Sequence, residues 1–404
     1  MVQVASIFSQ LLSLISRNDF AKSVRLHCAE KGSKGFSCWD QFVSMLFCQF
    51  AGANSLREIC GGLATTLGRL RHLGMFKAPG RTTLAYANKH RPWEVFQDVF
   101  YATLEKARAA ARLQGRRFRF KNPLVSIDSS TIHLCREMYD WAKYGRSKGA
   151  VKLHLMLDHQ GHLPSWAYIT EGKVHDVKPV KSLRLQPGTI VAMDRGYNDY
   201  KLFGQWTDWD VFFVTRMKRN CQYDVVEYRS VPDNNNILSD QIIELTSIKG
   251  MKQCPHYLRR VEVYDIEKDE VIVLLTNIMH LAASTIGNIY KERWQIELFF
   301  KALKQHLKIK TFVGTSENAV KIQIWTALIA MLILKLMQLK SVFKWSLSNL
   351  AAMIRINLLI YRDLWKWLDE PYKFTGSKPP SGAMPLFQLN LGQQNGGNLK
   401  SAMR

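Results

Sequence analysis

The chain reads as an α/β protein: a helical, basic amino-terminal domain precedes an α/β layer that a β-rich insertion interrupts. Three observations predict this. Residues 1 to about 118 carry apolar positions at helical spacing and no convincing alternating strand. After a basic hinge at 114–123, β-type apolar runs begin at 124–127, 151–157 and 163–169. Near residue 290 the spacing becomes helical again, with an apolar stripe bordered by charge.

The elements follow in order. Val4, Ile7, Phe8, Leu11, Leu12 and Ile15 mark an amphipathic helix with no cationic leader, so no signal peptide is expected. Asn54-Ser55-Leu56-Arg57-Glu58 has the form of a capped helix start, with an acid at the third helical position. Gly80-Arg81-Thr82-Thr83-Leu84 opens another helix carrying Lys89, His90 and Arg91; two short helices around a glycine-rich turn fit a helix-turn-helix or a generic helical domain. Beyond the hinge, His159-Gln160-Gly161-His162 joins two strands as a hairpin-like turn. A helix is expected over 177–185, a strand over 189–193 and another near 211–215. From 217 to 283 the pattern is β-like, with turns at Asn234-Asn235-Asn236 and at 267–270. The resulting division is 1–120 helical and DNA-binding, 121–216 first part of the core, 217–283 β insertion, 284–370 second part, and 371–404 flexible tail.

The chain has 404 residues, 47% of them hydrophobic, ample for a large core. Its 56 Lys+Arg against 33 Asp+Glu leave +23, which points to a polyanionic partner, nucleic acid or an anionic membrane surface. Residues 1–120 hold 18 Lys+Arg against 7 Asp+Glu, a net of +11. The seven cysteines include no C-x-x-C pair, which fits scattered thiols rather than a disulfide frame or zinc site. The longest apolar run, 322–334, contains Gln323 and is shorter than the ~18 residues of a bilayer span, so a buried core helix is expected and a membrane role is not.

Three carboxylates carry the chemistry. Asp128 follows the apolar run Val125-Ser126-Ile127, and Asp194 follows Ile190-Val191-Ala192-Met193, so both stand where apolar strands stop, the place α/β sheets offer to ligands. Glu297 lies in Tyr290-Lys291-Glu292-Arg293-Trp294-Gln295-Ile296-Glu297. At about 100° per residue, Tyr290, Arg293, Glu297 and Lys304 share an arc of roughly 60°, beside an apolar stripe of Ile289, Ile296, Phe300, Leu303 and Leu307. A bland alternative is an exposed Arg293–Glu297 ion pair worth a few tenths of a kcal/mol. Three carboxylates can hold two Mg²⁺ ions about 3.5–4 Å apart, one activating the attacking oxygen and one neutralising the leaving oxygen. Arg293 offers a planar fork, Lys304 a point charge and Tyr290 a hydroxyl to phosphates. Trp294 and Trp325 are candidates for base stacking, Lys143, Arg146, Lys148 and Lys152 for the DNA backbone, while His154 and His175 read as structural.

The spacing Tyr290-x2-Arg293-x3-Glu297-x6-Lys304 resembles the Y-R-E-K signature of DDE transposases from bacterial insertion sequences of the IS-four type. Ile127-Asp128-Ser129-Ser130-Thr131 looks like that family's first-Asp strand and Asp194-Arg195-Gly196-Tyr197 like its second; the similarity extends to Trp141-Ala142-Lys143, Lys152-Leu153-His154 and Leu274-Leu275-Thr276-Asn277. It covers about 122 to 340. The resemblance implies an RNase H-like catalytic core with a β insertion before the Glu helix. It implies catalytic and metal-binding roles for Asp128, Asp194 and Glu297, with Tyr290, Arg293 and Lys304 on substrate. It also implies Mg²⁺, replaceable by Mn²⁺, and cut-and-paste transposition at terminal inverted repeats, by a homodimer on double-stranded DNA in a bacterial cytoplasm, at the nucleoid. A catalytically silent end-binding relic or inhibitor, or a plain nuclease on the same fold, are the competing expectations.

Overall fold

The helical pattern of the first 118 residues becomes six helices: α1 (Ile7–Ser13), α2 (Arg17–Leu26), α3 (Cys38–Ala51), α4 (Leu56–Ala64), α5 (Arg81–His90) and α6 (Glu94–Ala111). The structure is a computed structural model describing residues 5–66, 69–113, 118–135, 137–144, 148–231 and 236–373, without the side chains of 143, 144 and 148. Val4, the hinge residues 114–117, Arg146, Asn234-Asn235 and most of the expected tail therefore lie outside the described residues, as do the side chains of Lys143 and Lys148. The polar cap expected at Ser55 starts α4. Ser55 accepts from the Glu58 amide at 3.2 Å while Glu58 accepts from the Asn54 amide at 2.9 Å. Between α4 and α5 a 3₁₀ turn at Arg69–Leu73 intervenes, so the pair is not joined by the three- or four-residue turn of a helix-turn-helix.

A mixed sheet follows. Its strands are β1 (Leu124–Leu134), β2 (Lys143–Tyr144), β3 (Lys148–Asp158), β4 (Leu163–Glu171), then after α7 (Val177–Val180) come β5 (Ile190–Met193), α8 (Tyr200–Asp208) and β6 (Phe212–Arg216). Next are β7 (Tyr223–Tyr228), β8 (Ile237–Leu245), α9 (Ile248–Gln253), β9 (Leu258–Asp265) and β10 (Glu270–Thr276). The order is β2-β3-β1-β5-β6-β10-β9-β8-β7, with β4 also on β3, ten strands in one sheet. β1, β5 and β6 are mutually parallel; the other pairings are antiparallel. The β-rich stretch after residue 217 is thus not a sheet of its own, because β10 pairs directly with β6 and extends the central one. The helix expected over 177–185 is a single turn, closed early when the Ser182 hydroxyl and amide both donate to the Pro179 carbonyl.

Five helices end the described chain: α10 (Ala283–Glu292), α11 (Trp294–His306), α12 (Glu317–Lys340), α13 (Leu347–Asn357) and α14 (Leu364–Asp369). The helix expected to run unbroken through residue 293 is divided there. The Arg293 amide donates to Tyr290 O at 3.1 Å and the Ile296 amide to Arg293 O at 3.2 Å, so i→i−3 bonds tighten the backbone at the joint.

α12 is apolar all round. It is long enough to cross a bilayer by length and composition, yet 89% of its most apolar window is buried within the protein, packed against α3, α5, α6 and α13. Gln323, the one strongly polar group in its apolar run, is fully buried and satisfied: Nε2 donates to Lys308 O and Thr311 O at 2.7 Å, and Oε1 accepts from the Val313 amide at 2.9 Å. One apolar cluster unites α1, α3, α6, α11, α12 and α14 with β3 and the far end of β1. Two smaller clusters cover the two faces of the β1-β5-β6 centre, one under α8, the other under α10.

Candidate active site

The register of the central strands positions the first two carboxylates. β1 and β5 pair in parallel from Leu124↔Ile190 to Ile127↔Met193, so the next residue on each strand is an aspartate, Asp128 and Asp194. β1 itself does not stop there, contrary to the sequence expectation; β3 continues to pair with it through Leu134. What stops at Asp128 is the β1–β5 ladder. Side chains alternate across a strand. Leu124, Ile190 and Ala192 pack in the cluster under α10, and their parity puts Asp128 and Asp194 on that face.

α10 and α11 bring the remaining groups to the same face. The Arg293 guanidinium pairs with Glu297, Nη2 to Oε1 at 2.7 Å, and lies 5.6 Å from the Tyr290 ring centroid. Burial pushes the Asp128 carboxyl up to about 6; the Ser129 amide, donating to Oδ1 at 2.8 Å, and Arg293 oppose the rise, while Glu297 and Asp194 add to it. These interactions place Asp128, Asp194, Glu297 and Arg293 within one electrostatic neighbourhood. Burial likewise raises the Tyr290 phenol, against the pull of Arg293 and Arg216. Among the described residues, the Arg293 Nε is buried with no hydrogen-bond partner.

Lys304 stands apart. Its ammonium donates to Thr131 O at 3.3 Å, three residues along β1 from Asp128, or about 10 Å at the usual strand rise. From Glu297 to Lys304 along α11 is also about 10 Å at 1.5 Å per residue. The helix therefore runs beside β1 in step with it, and the sixth candidate lies one site's width from the other five.

A match to the description "Transposase DDE domain" covers residues 119–333, just over half of the chain. The chain belongs to the DDE transposases of insertion sequences. A second match, "Domain of unknown function (DUF4372)", covers residues 3–76. Among curated relatives, this transposase is 36% identical over 288 residues to the transposase y4zB of Sinorhizobium fredii, covering 69% of this chain and 78% of that one. It is 29% identical to a transposase of insertion sequence element IS5377 from Geobacillus stearothermophilus, over 63% of this chain and 66% of that one. It is 27% identical to a transposase of element IS4SA from Synechocystis, over 63% and 71%.

The transposase structure adds groups that the sequence pattern did not single out. Ser129, next to Asp128, donates to Asp176 Oδ1 at 2.7 Å, and Lys152 donates to the same oxygen at 3.0 Å. Burial pushes the Asp176 carboxyl up, but Ser129 and Lys152 together hold it below the ordinary value. Lys152, expected on the DNA backbone, is thus spent inside the protein, with its side chain only 14% exposed. On the α10 side, Ser126 Oγ lies 2.7 Å from His159 Nε2, and His159 Nδ1 lies 3.7 Å from Glu292 Oε2, all three side chains buried. This chain ties β1, two residues before Asp128, to the residue preceding Arg293. No spacing rule connects Ser126, His159 and Glu292; only the hairpin after β3 and the α10–α11 joint bring them together.

The other expected residues fall as follows. His154 is buried, bonded to Thr170, and pushed down to about 4 by burial, so it serves structure. Trp325 is buried and stacks on Trp93, which removes it from base stacking, whereas Trp294 is 49% exposed beside Arg293. Among the described residues, no three carboxylate, imidazole or thiolate groups converge at metal-ligand range, since Glu297 is turned to Arg293. The donor set nevertheless fits a hard divalent cation: all three candidates are carboxylates, and Asp128 is raised by burial first, with Glu297 and Asp194 adding to the rise.

Proposed function

We propose that this transposase cuts double-stranded DNA at the ends of its own element and joins the freed 3′-OH to target DNA, by phosphoryl transfer on an RNase H-like core. The observation that carries the reading is the emergence of Asp128 and Asp194 side by side where the β1–β5 ladder ends, facing Glu297 and Arg293. Parallel central strands with acids at their carboxyl ends support the core assignment. Asp128, Asp194 and Glu297 would hold divalent metal, Mg²⁺ by the hardness of the oxygen donors. Two such ions would lower the pKa of the attacking water or hydroxyl and neutralise the leaving oxygen.

The chain's own residues supply the rest. Arg293 pairs with Glu297 through Nη2, and its guanidinium would bind a phosphate oxygen beside the cut. The Tyr290 phenol, protonated at neutral pH, would donate a hydrogen bond to the same strand. Lys304, about 10 Å further along at the usual strand rise, meets a second phosphate of the bound DNA. Trp294, half exposed at the joint, offers a face to a displaced base. Residues 1–120 would bind the terminal repeats, with two copies of the chain on paired ends.

Cleavage of labelled duplexes copied from the DNA flanking the coding region tests the reading, in Mg²⁺ and in EDTA. Wild type should leave metal-dependent 3′-OH ends. Glu297→Gln and Asp194→Asn should bind within a few-fold of wild type and cut at least a thousandfold more slowly, a loss of roughly 4 kcal/mol in the transition state. Cutting by Glu297→Gln at the wild-type rate would remove the catalytic assignment. Tight binding without cutting by well-folded wild type would make the chain a silent end-binding protein.

A further inference from the structure

We propose that the outward stripe of α5 enters the major groove of the DNA beside the cut, with Thr82, Ala85 and Tyr86 on base edges and Lys89 on the phosphate backbone. The inference rests on the transposase reading above and assigns its sequence preference to particular side chains. Residues 82, 85, 86 and 89 fall at i, i+3, i+4 and i+7, one face of a helix, and all four are exposed. The opposite face, Leu84, Ala87 and Asn88, is buried. A major groove admits one α-helix, and this stripe has the residue types that suit it: a threonine hydroxyl, a small alanine permitting close approach, a tyrosine and a lysine.

The surrounding charge fits a polyanion such as DNA. Residues 59–93 contain six Lys/Arg, at 69, 71, 77, 81, 89 and 91, and not one Asp or Glu. Arg69, Arg71, Lys77, Arg81 and Lys89 are exposed. Gly80 caps α5 without a side-chain hydrogen bond, so the first amides of this ten-residue helix remain open beside Arg81.

α5 is also rigidly mounted on the frame that carries Glu297. Gln41 of α3 donates to Asn88 Oδ1 at 2.9 Å, and Asn318 in the first turn of α12 donates to the carbonyls of Asn88 and Arg91 at 2.8 and 2.7 Å. Just beyond α11, the Lys308 amide donates to Gln49 of α3 at 2.8 Å and its ammonium to Asn54 at 2.6 Å. A reading helix bolted to α3 and α12 keeps a fixed offset from the carboxylates, which is what selects one phosphate for cutting.

The test measures binding of the full chain, in EDTA, to duplexes copied from the DNA flanking its coding region and to scrambled duplexes of equal composition. Thr82→Ala/Tyr86→Ala should lower the preference for the flanking duplex at least tenfold while leaving scrambled binding within about twofold. Lys89→Ala should weaken both alike and reduce the log–log salt slope by about 0.9. Ala85→Glu, a surface change with no packing to lose, should also abolish the preference and guards against a folding artefact. An unchanged preference in Thr82→Ala/Tyr86→Ala and Ala85→Glu, or none in wild type, overturns the inference. Because cleavage is scored separately, a wild type that prefers the flank but never cuts defeats the proposed function and leaves this reading standing.

Discussion

At the scale of single residues, Asp128 shows how the proposed catalytic arrangement is held against stability. Its carboxyl is raised from 3.8 to about 6 by burial first and by Glu297 and Asp194 second. A raised carboxyl means that the folded state binds the proton more tightly than the unfolded chain does. Stability is therefore lost as pH climbs from about 4 to about 6, and the cost stays in full above that window. Two units correspond to at most about 3 kcal/mol. Asp128→Asn, neutral at every pH, should stabilise the metal-free protein by about 1–3 kcal/mol at pH 7 and by nearly nothing at pH 4. Calorimetric melting in EDTA across that range checks it; an equal gain at both pH values would mean that the Asp128 charge is not what costs stability. Such an acid is recognisable in sequence as a polar interruption after an apolar run. Its neighbours are less so: Asp176, Ser129 and Lys152 meet only through the β1–β3 register and the loop after β4.

At the scale of elements, local signals were readable where local chemistry decides and unreadable where partners decide. The Ser55–Glu58 cap announces α4 because both bonds are made within five residues. The end of β1 was misplaced because the polar run Asp128-Ser129-Ser130-Thr131 looks like a loop, whereas β3 pairs with every one of those residues. The division at Arg293 was hidden for the same reason, since each half is a good helix and the tightening shows only in which carbonyl each amide chooses. Gln323 illustrates a tertiary role invisible to periodicity. It secures the segment from Lys308 to Val313 that links α11 to α12. Gln323→Leu takes the side-chain partner from three part-buried backbone groups, at about 1 kcal/mol or a little more each. It should cost at least about 3 kcal/mol in urea unfolding and speed hydrogen exchange at the Val313 amide before other positions. A loss under about 1 kcal/mol would show that water replaces the side chain there.

At the scale of the whole molecule, the sequence suggested separable parts, and the packing joins the helical region to the rest. The positive charge of residues 1–120 suits the DNA-binding role proposed for them, yet their apolar side chains share one cluster with α11, α12 and α14. α12 makes its most extensive contacts with α6 and α3. Removing residues 1–118 would uncover the partners of Phe42, Met45, Leu46, Phe100 and Leu104, all fully buried. At about 1.5–3 kcal/mol for each such side chain, that loss alone equals the 5–15 kcal/mol by which a protein of ordinary stability is folded. The fragment from residue 119 onward should therefore lack a cooperative melting transition and aggregate, although it contains all three carboxylates. The intact chain should unfold the helical region and the α11–α12 region in one transition, read by calorimetry and by proteolysis at rising urea. A soluble, cooperatively folded fragment that still cuts DNA would show instead that the shared cluster is an interface between independent domains. Under the proposed reading, DNA held by the amino-terminal helices would press on the frame that carries Glu297 through the shared apolar cluster.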